Sequence, residues 1–102
     1  MNVIKRRFLI AFWSRHRASR APLDEWFRLC RRGRWRSIAD VRRIFPHADA
    51  VMVHSGRIAT VFNIGGNNWR VVALMNYTRQ MMLITHVLTH AEYDKELWKN
   101  QI

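Results

Sequence analysis

Hydrophobic residues in the first 45 positions recur at intervals of three and four, whereas those beyond Pro46 alternate with polar ones. The first period belongs to helices that pack through one face, the second to strands. After a short apolar start, Phe8, Ala11 and Phe12 mark one helical face, and the arginine-rich stretch from Arg15 to Arg20 interrupts it. Pro22 suits the first turn of a second helix, where a missing N–H is no loss. Leu23, Trp26, Phe27 and Cys30 then form an apolar stripe, and Gly33 closes the helix. Cys30 lies on that stripe and reads as a small buried hydrophobe. Ser37 and Asp40 have capping-box spacing ahead of a third helix carried by Ile38, Val41, Ile44 and Phe45, which Pro46 ends.

The alternating segments run from Ala50 to Val53, across Arg57 to Asn63, from Trp69 to Asn76 and from Met81 to Leu88. Turns separate them at His54-Ser-Gly56, at Gly65-Gly-Asn-Asn68 and at Tyr77 to Gln80; glycine and asparagine tolerate the positive φ that a tight hairpin needs. Thr89 is placed to cap a short last helix running through Leu97 and Trp98. The pattern predicts an α+β fold in one domain, residues 1–102. Its N-terminal helices pack on one face of a four-stranded, mainly antiparallel sheet, and a short C-terminal helix follows. The other sheet face is left for a ligand.

Composition narrows the class. A chain of 102 residues is one domain, with no repeat, low-complexity stretch or linker. A single cysteine excludes an internal disulfide and gives no metal-ligand cluster. No apolar run approaches the roughly 18 residues of a membrane span. The basic start followed by Phe8 to Trp13 is short and lacks a small-residue cleavage site, which argues against a signal peptide. A cytoplasmic protein with no membrane partner is expected. The charge is the strongest bulk feature: 18 Lys and Arg against 7 Asp and Glu give +11. Most of the cations are arginine, whose planar fork suits phosphate and stacks on bases, so a polyanion such as RNA is the expected partner. The excess is lopsided. Residues 1–45 carry 13 basic and 3 acidic side chains, residues 46–102 only 5 and 4.

Candidate chemistry gathers in the nearly neutral half. His90 and Tyr93 stand three apart in Thr89-His-Ala-Glu-Tyr-Asp-Lys95 and would share one side of a helical turn. In a meander, Arg70 neighbours the strand whose end delivers His90. Histidine, tyrosine and arginine on one face would supply a base for the 2′-hydroxyl, an acid for the leaving 5′-oxygen and a cation for the phosphate. No metal or other cofactor is required, because the 2′-hydroxyl is an internal nucleophile. The same residues have structural readings. Tyr93 could pack on the sheet with Leu97 and Trp98, Arg70 could pair with Glu92 or Asp94, and His90 could be solvated.

Several blocks resemble the HigB family of toxins: Phe62-Asn-Ile-Gly-Gly-Asn-Asn-Trp-Arg-Val-Val-Ala73, Asn76-Tyr77 and Thr89-His-Ala-Glu-Tyr-Asp-Lys95. In the helical half Phe12-Trp13, Pro22-Leu23 with Trp26, Trp35, Ser37-Ile-Ala-Asp-Val41, Phe45-Pro46 and Ala48-Asp49 are similar to it too. The resemblance implies a RelE-like fold and metal-independent mRNA cleavage, often at the ribosome, by a toxin of a type II toxin–antitoxin pair. It also implies a HigA-like helix-turn-helix antitoxin, with operator DNA bound only through the antitoxin complex. By position, Arg70 matches the arginine that contacts the scissile phosphate. His90 and Tyr93 match polar residues credited with proton transfer or substrate orientation, and Asn67 and Lys95 would help hold RNA. Asn63 and Arg57 are further candidates for RNA binding, and Arg31, Arg32 and Arg36 for docking on the ribosome or antitoxin. Two positions depart from the family: Gly65 and Thr85 stand where a basic residue is often found. His86 would compensate if it faced the groove, although alternation sets it opposite Thr85. The same fold also serves gyrase-binding ParE-like toxins, and a non-catalytic basic RNA-binding module is a third reading of the charge.

Overall fold

A computed structural model describes residues 1–102. In chain order its elements are β1 (Asn2–Ile4), α1 (Arg7–Arg15), a 3-10 turn (Arg17–Ser19), α2 (Arg20–Arg32), α3 (Ile38–Ile44), β2 (Asp49–Met52), β3 (Ile58–Ile64), β4 (Trp69–Asn76), β5 (Met81–Thr89), α4 (His90–Asp94) and a closing 3-10 turn (Leu97–Asn100). The α+β class and the three N-terminal helices stand as the periodicity predicts. The sheet has five strands rather than four, in the order β1-β5-β4-β3-β2. The added strand, β1, pairs in parallel with β5 through Asn2↔Met81, Val3↔Met82 and Ile4↔Leu83. Three residues are too few for an alternating pattern to show, so this edge is made by a long-range pairing. The remaining pairings are antiparallel.

The sheet is buried on both faces, by different parts of the chain. On one face Leu9 and Phe12 of α1, Leu23, Trp26 and Cys30 of α2, and Val41 of α3 close over Phe62, Ile64, Val71, Ala73, Met82 and Ile84. The α1 contact runs through Leu9 and Phe12, with Phe8 half-buried beside them, rather than through Ala11, which is exposed. Gly33 ends α2, as its place in the sequence predicts, in extended backbone with φ −65° and ψ 138°. Its lack of a side chain serves packing: a Cβ there would stand 2.5 Å from the Trp35 ring.

The opposite face is not free, as the pattern alone implies. The C-terminal segment crosses it and buries Trp98 among Val53, Ala59, Val61 and Val72, with Leu74, Leu88 and Ile102 around them. Thr89 caps α4 reciprocally: its hydroxyl accepts from the Glu92 N–H at 3.2 Å, and the Glu92 carboxylate accepts from the Thr89 N–H at 2.9 Å. The last helix does not continue to Trp98, however. Glu96 takes a left-handed φ of 61°, and the chain reverses so that Trp98 folds back on the sheet while its indole N–H donates to the Tyr93 carbonyl at 3.1 Å. What stays open on this face is one corner, where β3 and β4 meet the turn between them.

Candidate active site

Arg70 and Asn63 face each other across the β3–β4 ladder, on the side away from the helices. Arg70 is buried at 6% exposure, yet no carboxylate pairs with it. The β3–β4 turn receives it instead. Nη1 donates to the Asn67 and Trp69 carbonyls at 3.1 and 3.0 Å, and Nη2 donates to the Asn67 side-chain oxygen. A guanidinium has five N–H donors, so two are left without a protein acceptor. Desolvating a cation without a counter-charge is costly. The arrangement is one that an incoming anion would complete.

Tyr93 of α4 forms the wall beside it. The Arg70 guanidinium lies 5.3 Å from the centre of the Tyr93 ring, and the ring stacks on Trp98 at 5.3 Å and 16°. Burial pushes the Tyr93 phenol above its ordinary value and the Asp49 carboxylate adds to this, against the opposing pull of Lys99 and Arg70. The hydroxyl therefore keeps its proton at neutral pH. Both readings of Tyr93 are realised at once, since it packs on Trp98 and borders the site; Leu97 is exposed and takes no part. Arg70 and Tyr93 share an open cavity of about 510 Å³ with Arg42, Pro46, His47, Ala48, Asp49, Val61 and Asn63. Arg42 donates through Nε to the Ala48 carbonyl at 2.9 Å and stands 3.8 Å from Asp49.

The other sequence candidates are distributed around this corner or away from it. Asn67 grips Arg70, as above. His90 opens α4 next to the same turn, with its N–H on the Asn68 carbonyl at 3.1 Å; its Nδ1 is 3.0 Å from Asp94, and it does not line the cavity. Lys95 is exposed beyond α4. Arg57 precedes β3 at the end far from Asn63, about 20 Å away at the rise of a strand. His86 faces the same side as Val72, its ladder partner, because Thr85 sits in a bulge that shifts the register between Val72 and Ala73. Strict alternation does not hold through the bulge. His86 is nonetheless held off the cavity by Gln101 at 2.7 Å and Thr85 at 3.1 Å. The Thr85 hydroxyl also donates to the Val72 carbonyl at 3.2 Å across the bulge. Gly65 has φ +60°, and a Cβ on it would be 2.6 Å from the Trp69 ring, so a lysine has no room at this position while Trp69 is its neighbour.

Arg31, Arg32 and Arg36 form a separate surface. Together with Arg34 they line a cleft of about 670 Å³ between the end of α2 and the β4–β5 turn, where the Gln80 side chain joins the Trp35 main chain. Arg70 is the second residue of β4 and that turn follows the strand's end, so the basic cleft and the Arg70 corner lie at opposite ends of the sheet. Three cavity residues, Arg42, His47 and Asp49, are not among the site candidates the sequence offers. Strand register could have found one of them: Asp49 pairs with Val61, two residues from Asn63 on the same face.

Fold and cavity together define a small, basic α+β protein with one anion-receptive corner, built where a hairpin turn meets a C-terminal strap. The family model of HigB_toxin, described as the RelE-like toxic component of a toxin-antitoxin system, matches residues 19–96. The chain belongs to that family. It is 36% identical over 56 residues to an mRNA interferase HigB of Escherichia coli O6:H1, an alignment covering 55% of this chain and 52% of the relative. It is 35% identical over 63 residues to the mRNA interferase toxin HigB of Escherichia coli K12, covering 62% and 59%, and equally to an mRNA interferase HigB of Shigella flexneri. The matched region thus spans between half and three fifths of these relatives. No helix is long and apolar enough to cross a membrane.

Proposed function

We propose that this protein is an mRNA-cleaving toxin of a type II toxin–antitoxin system, with a RelE-like arrangement of its sheet. In this reading it inhibits translation by cutting mRNA at the ribosome. The observation that carries it is Arg70: a buried guanidinium without a carboxylate partner, held by Asn67 and Trp69, with two donors left for an anion at the mouth of an open cavity. The scissile phosphate is that anion. As the 2′-oxygen attacks phosphorus and the bond to the 5′-oxygen breaks, charge builds on the non-bridging oxygens, where a preorganised cation acts most strongly. In this proposal the neutral Tyr93 hydroxyl gives the leaving 5′-oxygen its proton. An imidazole takes the proton of the 2′-hydroxyl, a role for which the family resemblance nominates His90, oriented by Asp94. The products are a 2′,3′-cyclic phosphate and a 5′-hydroxyl. Asn63 and Asn67 contact the RNA inside the corner, and Lys95 and Arg57 contact it further out.

The cleft of Arg31, Arg32 and Arg36 is assigned to docking, on ribosomal RNA during cleavage and on a HigA-like helix-turn-helix antitoxin otherwise. Operator DNA is reached only through that complex. The test is expression of wild type and Arg70→Ala in cells carrying a reporter mRNA, read by primer extension. Cleavage by wild type and its loss in Arg70→Ala are expected. Growth arrest without new 5′ ends, together with inhibited gyrase supercoiling, would replace the reading with that of a gyrase-binding toxin. RNA binding without cleavage would leave a non-catalytic module.

A further inference from the structure

We infer that His47, in the connection between α3 and β2, is a catalytic residue of the Arg70 cavity and takes the proton of the attacking 2′-hydroxyl. The inference rests on the RNA-cleaving reading and gives a different answer to the question of its base. The chain has five histidines, and their places separate them. His16 stacks on Phe12 at 4.4 Å on the helical side. His54 sits in the β2–β3 turn, at the far end of β3. His86 is committed to Gln101 and Thr85. His90 has Nδ1 on Asp94 and lies outside the cavity. His47 alone lines the same cavity as Arg70, Tyr93 and Asn63.

The wall that carries His47 is fixed on both sides. Arg42 Nε holds the Ala48 carbonyl, the Ala48 N–H donates to the Phe45 carbonyl at 2.9 Å, and Ala48 itself is buried. Pro46 restricts the backbone just before it. His47 therefore lines the cavity from a short braced segment, on a different element from Tyr93. The charged and titratable groups that share the cavity with it are Arg42 from α3, Asp49 from β2, Arg70 from β4 and Tyr93 from α4. Among these, arginine does not release its proton, the Tyr93 phenol is held neutral, and Asp49 is drawn toward Arg42 at 3.8 Å. Imidazole is the side chain whose ordinary titration lies near neutrality, so it is the group in this cavity suited to accept a proton there. The step balances: His47 takes the 2′-hydroxyl proton as the 2′-oxygen bonds phosphorus, the bond from phosphorus to the 5′-oxygen breaks, and Tyr93 protonates that oxygen. Solvent then restores both side chains.

The test uses the full chain on mRNA-programmed ribosomes under single-turnover conditions, comparing wild type, His47→Gln, His47→Ala, His90→Gln and, as a control, His54→Gln. His47 is exposed, and circular dichroism of each variant monitors the fold. For His47→Gln a loss of about 10²–10⁴-fold in cleavage is expected, with ribosome affinity unchanged and the rise in rate with pH flattened. Added imidazole should restore part of the rate to His47→Ala, which a merely structural role would not allow. His54→Gln should behave as wild type. An active wild type with His47→Gln within fivefold of it would overturn the assignment while leaving the cleavage reading intact. So would a loss confined to His90→Gln. A wild type that cleaves no RNA would remove both.

Discussion

Tyr93 touches both the scaffold and the proposed chemistry, and two substitutions separate these roles. Tyr93→Phe keeps the ring that stacks on Trp98 and lies against Arg70, and removes only the hydroxyl, which has no hydrogen bond within the protein. Its effect on stability should stay within about 0.5 kcal/mol, about 4 °C or less in Tm for a domain of this size. Tyr93→Ala removes the ring. The stack with Trp98 contributes about 0.5–1.5 kcal/mol and the guanidinium contact about 0.5–1 kcal/mol. Half-burial of the ring adds about 1 kcal/mol more. Together these give about 2–3.5 kcal/mol, a fall in Tm of about 8–28 °C at the scale of small domains. Cleavage should fall about 10²-fold or more in Tyr93→Phe if the hydroxyl protonates the leaving oxygen, and at least as far in Tyr93→Ala, where Arg70 also loses its neighbour. Differential scanning fluorimetry and single-turnover cleavage read the two quantities independently. A Tyr93→Phe variant that cuts at the wild-type rate would refute the role of the hydroxyl, and one as unstable as Tyr93→Ala would refute the ring as the packing element.

Three further outcomes follow from particular contacts. Gly65→Lys, which supplies the basic residue common in the family, should destabilise the protein by about 2–4 kcal/mol in urea titrations. It combines a left-handed backbone with a Cβ 2.6 Å from Trp69; a variant as stable as wild type would contradict the packing argument. The Glu92 carboxyl is held below its ordinary value of 4.5, first by the Thr89 backbone N–H. Its contribution is thus present above pH 4.5 and is lost as the pH falls further, so Glu92→Gln should flatten the acid limb of a stability–pH curve. An unchanged limb would show that the capping carboxylate contributes nothing. Charge reversal at Arg31 and Arg32 should weaken cosedimentation with ribosomes and reduce its salt dependence. Undiminished cosedimentation would remove this cleft from docking.

Local pattern carried much of the fold. β4 runs from Trp69 to Asn76 as the alternation predicts, and the α2 stripe of Leu23, Trp26 and Cys30 is buried as its spacing requires. What escaped the sequence depends on contacts between distant segments. The pairing of Asn2–Ile4 with Met81–Leu83 joins opposite ends of the chain, and a three-residue strand has no period to detect. The return of Trp98 onto the sheet hangs on a left-handed Glu96, a residue with no glycine-like signature. The candidate site divides in the same way. Arg70, Asn67 and Tyr93 stand in blocks whose residue types announce chemistry, and the structure brings them together. Arg42 and His47 reach the cavity from α3 and from the α3–β2 connection, segments distant in sequence from Arg70 and Tyr93. His90 shares the tail with Tyr93, but it opens α4 beside the β3–β4 turn with Nδ1 on Asp94 and lies outside the cavity despite the helical spacing that would put the two on one side.

In the proposed reaction this corner cuts RNA by attack of a neighbouring 2′-hydroxyl on a phosphate held by Arg70. The direct measurement is the chemistry of the fragment ends, with a single 2′-deoxy substitution at the mapped cleavage site in an otherwise identical mRNA on programmed ribosomes. Attack by the 2′-hydroxyl should give 2′,3′-cyclic phosphate and 5′-hydroxyl ends from the all-ribose mRNA, and no cut at the deoxy position. Cleavage that continues through the deoxy nucleotide, or fragments with 3′-hydroxyl and 5′-phosphate ends, would contradict it.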